Sequence, residues 1–182
     1  MRRIALLIAL VAAACGLSAG QDQHLKNKLA PYVASPSRVV DMMLDLARVK
    51  PGDTVYDLGS GDGRILIAAA NRRANAVGIE INPSLVTAAN DEISRAGVGA
   101  RAKVIQGDVM TADFSPATVV TIYMDRSSNE KLRPQLEKYL KAGSRVVSHD
   151  YEIPGWKASV VSKTDEAKPH TIYLYEIPAQ KN

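Results

Sequence analysis

Val55-Tyr56-Asp57-Leu58-Gly59-Ser60-Gly61-Asp62-Gly63-Arg64 is a β-prone run that breaks into glycines and passes at once into a helix. Pro51-Gly52-Asp53 before it is a turn signal, and Ile65-Leu66-Ile67-Ala68-Ala69-Ala70 after it supplies an apolar helix face. Glycines between a strand and a helix permit positive φ and close backbone approach. The free N–H groups at the helix start then attract a polar or anionic ligand. The spacing narrows the ligand. A dinucleotide fingerprint needs G-x-G-x-x-G, but here the third glycine comes one residue early and Arg64 stands in its place. A phosphate-binding P-loop needs Gly-Lys-Ser/Thr, which is absent.

What remains is Asp57-x-Gly59-x-Gly61-x-Gly63, with Glu80 closing the next strand, Ala76-Val77-Gly78-Ile79-Glu80. These residues resemble the class I S-adenosylmethionine-dependent methyltransferases, whose first strand ends in an acidic residue and a G-x-G loop. The resemblance implies that S-adenosylmethionine is the cofactor, that Asp57, Gly59 and Gly61 form its loop, and that Glu80 holds the ribose hydroxyls. A third strand, Val104-Ile105-Gln106-Gly107-Asp108, ends in Gly-Asp. In the family the acid at Asp108 accepts a hydrogen bond from the adenine amino group. The plainer alternative makes the glycines a tight turn and Glu80 a solvated strand end. Three acids at three successive strand ends weigh against it.

A chain of 182 residues with 46% hydrophobic content suits one domain with a substantial core. Aromatic content of 5% is too low for a base-stacking surface, and a formal net charge of +4 does not demand a polyanion. Nucleic acid is therefore not expected as a partner. No set of metal ligands is read in the sequence.

Met1-Arg2-Arg3, the apolar run Ile4 to Ala14, and Ser18-Ala19-Gly20 before polar Gln21-Asp22-Gln23 read as a secretory leader over residues 1–20. The run falls short of the ~20 residues that span a bilayer, so no transmembrane anchor is expected in the mature chain. The protein is then exported, periplasmic or secreted. Ala12-Ala13-Ala14-Cys15 also resembles a lipoprotein cleavage site, with Ala12 where Leu is usual, which leaves lipid anchoring at Cys15 as an alternative. Cys15 is the only cysteine, so residues 21–182, the expected domain, have neither a disulfide framework nor a thiol nucleophile.

Leu29 to Ala34 reads as extended, and Ser35-Pro36-Ser37 offers a cap with proline in the first turn of a helix. Val39, Val40, Met43, Leu44 and Ala47 then recur at helical spacing, leaving Arg38, Asp41 and Asp45 outside. Pro31-Tyr32-Val33, the run Asp57 to Arg64, and Glu80-Ile81-Asn82-Pro83 together resemble one branch of small methyltransferases. That branch contains the lysine methyltransferases of mitochondrial ATP synthase c-subunit and adenine nucleotide translocase. Tyr32 either covers the cofactor or packs the helix onto the sheet.

Asn82-Pro83-Ser84 starts a helix through Leu85, Val86, Ala89 and Ile93 to a stop at Gly97. Strands follow at 102–106, 117–123 and 144–149, with a helix over 129–140 between the last two. Such alternation predicts an α/β fold, a doubly wound Rossmann-like sheet whose ligand binds beyond the strand C-termini. Tyr151 to Trp156 leaves room only for a turn, so 157–163 and 171–177 are expected to close the mostly parallel sheet as an antiparallel hairpin. Val146-Val147-Ser148 and Trp156 extend the branch resemblance over most of Pro31 to Trp156.

Methyl transfer needs the acceptor lone pair in line with the activated methyl, so placement alone supplies much of the acceleration. A lysine acceptor must first lose a proton, which at pH 7 costs roughly 4–5 kcal/mol from a reference pKa near 10.4. Tyr123, His149 and Asp150, at the ends of the fourth and fifth strands, are placed to face such an acceptor. His149 is equally a satisfied strand-end histidine, and Asp150 a cap for the next turn. Base amino-methyltransferases carry Asn/Asp-Pro-Pro-Tyr/Phe after the fourth strand, whereas this chain has Ile122-Tyr123-Met124-Asp125. The reading is a methyltransferase with a protein-lysine acceptor. The alternatives are a small-molecule acceptor, or a non-catalytic adenosine-binding or interaction protein on the same scaffold.

Overall fold

The structure, a computed structural model, describes residues 29, 31–165 and 167–178. The expected leader and Cys15 lie outside them. Among the described residues no helix is long and apolar enough to cross a membrane.

The elements follow in the order α1 (Ser37–Leu46), β1 (Thr54–Leu58), α2 (Arg64–Asn71), β2 (Asn75–Glu80), α3 (Pro83–Arg95), β3 (Ala102–Gln106), β4 (Val119–Ile122), α4 (Arg126–Tyr139), β5 (Arg145–His149), β6 (Val160–Lys163) and β7 (Thr171–Glu176). They build one seven-stranded sheet in the order β3-β2-β1-β4-β5-β7-β6. The first five strands are parallel, and β7 pairs antiparallel with both β5 and β6. This is the expected α/β sheet with its closing hairpin. The order reverses between β1 and β4, so a crevice opens there beyond the strand C-termini. In that region the register pairs Leu58 with Ile79 and Ile122, and Ile122 with Ser148. Gly59, Glu80, Tyr123 and His149, one residue further on, therefore share one edge of the sheet.

Alternation along the strands divides the core into two layers. Val55, Val119, Val147 and Ile172 face α1, α2 and α3, where they meet Val39, Met43, Leu44, Leu66 and Ile93. Tyr56, Val120, Ile122 and Val146 face the other way, toward Leu132 and Leu136 of α4 and toward Phe114 and Ile153. Val39, Val40, Met43 and Leu44 of α1 are enclosed, and each such side chain contributes about 1.5–3 kcal/mol.

Two element starts differ from expectation. Helix α4 begins at Arg126, three residues early, because Asp125 caps it by accepting the Ser128 N–H at 2.8 Å. Helix α1 has Pro36 at its N-cap with no side-chain cap. Ser35, expected to cap it, instead places Oγ 2.9 Å from Nδ1 of His149. The fixed φ of Pro36 starts the helix without help. Strands β4 and β6 are also shorter than expected, at four residues each.

Candidate active site

The loop after β1 folds onto the end of β2. Gly59 and Ser60 both donate their N–H to the Ile79 carbonyl, at 2.8 and 3.2 Å. Gly61 donates its N–H to Glu80 Oε2 at 3.0 Å, and Asn82 donates to Glu80 Oε1 at 2.9 Å. Glu80 is buried, and its carboxylate fixes both walls of the crevice while keeping a spare lone pair on each oxygen. Gly61 must be glycine for two reasons. Its φ is +52°, and a Cβ there would lie 2.4 Å from Cε2 of Tyr32. Gly78 is required by contact alone, since its Cβ would meet Ser60 Oγ at 2.4 Å.

Tyr32 therefore lies directly on the glycine loop. Arg64, the residue that broke the dinucleotide pattern, holds it there. Its guanidinium forks onto Asp62, Nε to Oδ1 at 3.0 Å and Nη2 to Oδ2 at 2.6 Å, and donates Nη1 to the Ser35 carbonyl at 2.8 Å. Burial, then Asp62, push the Tyr32 phenol above its ordinary pKa, so it stays protonated.

Between this segment and the strand ends lies a cleft of about 830 Å³, its open mouth included. Tyr32, Asp57, Gly59, Gly61, Glu80 and Asp108 all line it, as does Tyr123. The structure brings every expected cofactor residue to one cavity. Asp57 is buried beneath it and accepts the Thr121 hydroxyl at 2.7 Å. Burial outweighs that hydrogen bond and raises its pKa to about 7, with the charges of Glu80 and Asp62 adding to the rise. Asp108 accepts the Met110 N–H at 2.9 Å, which leaves one carboxylate oxygen for a ligand. Ser60 also lines the cleft, but its Oγ is buried without a partner against Gly78. These donors and acceptors fit a nucleoside carrying hydroxyls and an amino group.

The three expected catalytic residues separate. Tyr123 faces the cleft, and its hydroxyl lies 3.4 Å from Asp150 Oδ2. His149 is wholly buried behind it, with ring centroids 3.8 Å apart, and does not line the cleft. Burial drives its pKa down to about 4 against the pull of Asp150, so the ring is neutral at pH 7. Asp150 has φ 59° and is half-buried. Burial would raise its pKa, but hydrogen bonds from His170 and the Thr171 N–H prevail and hold it below the ordinary value. Tyr151 stacks with Tyr123 at 6.4 Å, completing an acidic and aromatic corner.

His170 is the residue the sequence reading missed. Its Nδ1 lies 2.9 Å from Asp150 Oδ2 and 2.9 Å from His149 Nε2. A signal was present: of three histidines in the chain, two stand at the end of β5 and beside the start of β7, which an antiparallel hairpin brings together.

The sheet order, the glycine loop, and acids at the ends of β1 and β2 and just beyond β3 define a class I S-adenosylmethionine-dependent methyltransferase. Within that class the chain belongs to the family of the ANTKMT methyltransferase domain, which matches residues 57–160. It is 47% identical over 154 residues to a protein-lysine N-methyltransferase of Saccharolobus islandicus (strain REY15A), covering 83% of this chain and 96% of that one. It is 33% identical over 157 residues to the ATP synthase c-subunit lysine N-methyltransferase of Mus musculus, covering 86% of this chain and 62% of the mouse protein. The chain thus spans about three-fifths of that relative's length. Among solved structures, an RNA methyltransferase from Salinibacter ruber in complex with S-adenosyl-L-homocysteine is 44% identical, with a TM-score of 0.78, over 82% of this chain and 97% of that one. The protein is an enzyme, a methyltransferase, and its cofactor is S-adenosylmethionine.

Proposed function

We propose that the acceptor is the side-chain amine of a lysine in a protein. The observation that carries this is the corner behind the cleft wall, where Tyr123, which lines the cleft, meets Asp150 and Tyr151, and a carboxylate held ionised sits among aromatic rings. An ammonium is attracted both to the carboxylate and to the ring faces. The name of the 47% identical relative agrees. In this reading Glu80 takes the ribose hydroxyls, Asp108 the adenine amino group, and Tyr32 covers the cofactor over Gly61. Asp150, with Tyr123 beside it, attracts and orients the ammonium, and the proton that the acceptor nitrogen must lose passes to water. When bound, S-adenosylmethionine would supply an activated methyl group, and the acceptor nitrogen that took it would also take the positive charge that the sulfonium gives up, as a methylated ammonium.

The Salinibacter relative is, by its name, a methyltransferase of RNA. An acidic corner repels a phosphate backbone, and the base-methylase motif after β4 is missing here, so RNA is the weaker reading. The deciding experiment gives purified protein labelled S-adenosylmethionine with an envelope extract and, separately, with total RNA. The expected result is label on lysine after protein hydrolysis, with Asp150→Asn lowering kcat at least tenfold while cofactor affinity changes less than about threefold. Label in RNA, lipid or small molecules alone rejects the lysine acceptor and leaves the methyltransferase standing.

We also propose export through the leader at Met1 to Gly20. The N-terminal run carries this, and the test is mass spectrometry of the protein from its host. The mature chain is expected to begin near Gln21, or at a lipidated Cys15. An intact Met1 on cytoplasmic protein overturns it.

A further inference from the structure

Beside the methyl-transfer cleft, three side chains from the β5 end and the β7 start converge on one point. His149 Nε2 lies 2.9 Å from His170 Nδ1 and 3.3 Å from Asp150 Oδ2, and the last two are 2.9 Å apart. Protons alone satisfy this arrangement poorly. The ionised carboxylate brings none. If both facing nitrogens carry one, Asp150 Oδ2 must take both N–H groups, and the two hydrogens are crowded together between nitrogens only 2.9 Å apart. If only one does, the remaining nitrogen lone pair and the carboxylate crowd the same proton. A single small cation at the centre would serve all three.

The spacing fits such a cation. Metal bonds of about 2.0–2.2 Å to imidazole and carboxylate, at angles from about 90° to about 109°, put neighbouring ligand atoms about 2.8–3.6 Å apart. The three observed separations run from 2.9 to 3.3 Å. The surroundings also behave as a support for ligands. His149 is buried, with Nδ1 held 2.9 Å from Ser35 Oγ, so a proton on that nitrogen frees Nε2 to face the centre. Asp150 accepts the Thr171 N–H on Oδ1 at 2.8 Å, which leaves Oδ2 turned inward. The left-handed backbone of Asp150, φ 59°, is a strained position of the kind found at functional sites. His170 is tied by its N–H to Thr164 Oγ1 at 2.9 Å. These three residues are the group among the described residues able to hold a metal.

We propose that His149, Asp150 and His170 form a binding site for a divalent transition metal of zinc-like character. Two imidazoles and one carboxylate favour zinc, cobalt, nickel or ferrous iron over magnesium or calcium, which prefer oxygen. Three protein ligands leave at least one position open to water. The oxygen that ligates the metal is the one that meets the acceptor amine in the lysine reading, so metal and acceptor are alternatives at Asp150. The binding test does not read methylation, and its failure leaves the lysine reading untouched.

The test uses the full chain, stripped with a chelator, dialysed, equilibrated with zinc and desalted before elemental analysis. About one zinc per chain is expected, and cobalt in its place is expected to give visible ligand-field absorption. His170→Ala is expected to weaken binding at least tenfold, as loss of even an orienting residue does elsewhere. Its fold is checked by S-adenosylmethionine binding, since residue 170 lies outside the cofactor cleft. Should that variant misfold, Ser35→Ala, which removes only the partner of Nδ1, is expected to weaken zinc about tenfold. Less than about 0.1 zinc per chain, or equal uptake by a folded His170→Ala, overturns the proposal.

Discussion

Glu80 shows how much a single residue reveals from sequence and how much it hides. Its place at a strand end, 19 residues beyond Gly61, was enough to put it on the cleft that the structure shows. Its bonds to Gly61 and Asn82 were not legible, because they depend on how the loop folds back over β2. They sharpen the expected outcome of mutation. Losing a charged hydrogen bond costs on the order of 1.5–3 kcal/mol, so Glu80→Ala is expected to weaken S-adenosylmethionine roughly ten- to a hundredfold by calorimetry. Unchanged affinity would remove Glu80 from the site. The glycines were legible because their signal is spacing between neighbours. Ser35 and His149 were not seen as partners, being 114 residues apart with no local pattern joining them.

At the scale of elements, the strands were legible wherever β-branched residues ran between turn signals, and the helices wherever apolar residues recurred at helical spacing. Their ends were less so, because caps are decided by competition. Asp125 reads as part of a strand end until its carboxylate is seen to take the Ser128 N–H. The pair Asp53 and Arg145 is another join invisible in the sequence. Arg145, at the start of β5, reaches Asp53 before β1 and also donates to the Ala47 carbonyl at the end of α1. Both side chains are nearly enclosed, at 10% and 5% exposure, and Thr118 and the Lys50 N–H satisfy the remaining carboxylate lone pairs. Arg145→Met leaves an ionised Asp53 buried with only the exposed Lys50 ammonium, 3.5 Å away, to offset it. The variant is expected to lose about 3–5 kcal/mol in urea unfolding. Adding Asp53→Asn is expected to restore part of that loss, and a loss below about 1 kcal/mol would show the pair to be ordinary surface charge.

For the whole molecule, two buried groups oppose one another in pH dependence. Asp57 has its pKa raised to about 7 in the fold, from 3.8, by burial first and then by neighbouring charge. Between those values the folded state holds a proton that the unfolded state has lost, so stability falls as pH rises. His149 has its pKa lowered to about 4, from 6.5, chiefly by burial. Over that range the unfolded state holds the extra proton, so stability rises with pH. At about 1.4 kcal/mol per unit the full effects are about 4 kcal/mol for Asp57 and about 3 kcal/mol for His149, and over their shared window they nearly cancel. The Asp53, Asp62 and Asp150 carboxyls, each held low, contribute stability that is lost only as pH falls below the ordinary carboxylate range. With chelator present to keep the histidines free of metal, the protein is therefore expected to show flat stability from about pH 4 to pH 6.5. Asp57→Asn keeps an acceptor for Thr121 but removes one side of the balance. In that variant stability is expected to climb by about 3 kcal/mol across the same window, and at pH 8 to exceed the parent's by about 4 kcal/mol. Parallel curves for parent and variant would show that Asp57 does not titrate in this range. S-adenosylmethionine carries a sulfonium, and a cation bound in the cleft that Asp57 lines favours its ionised form. Binding near pH 6 is accordingly expected to release protons, measurable as a calorimetric heat that varies with the ionisation enthalpy of the buffer, and Asp57→Asn is expected to abolish that dependence.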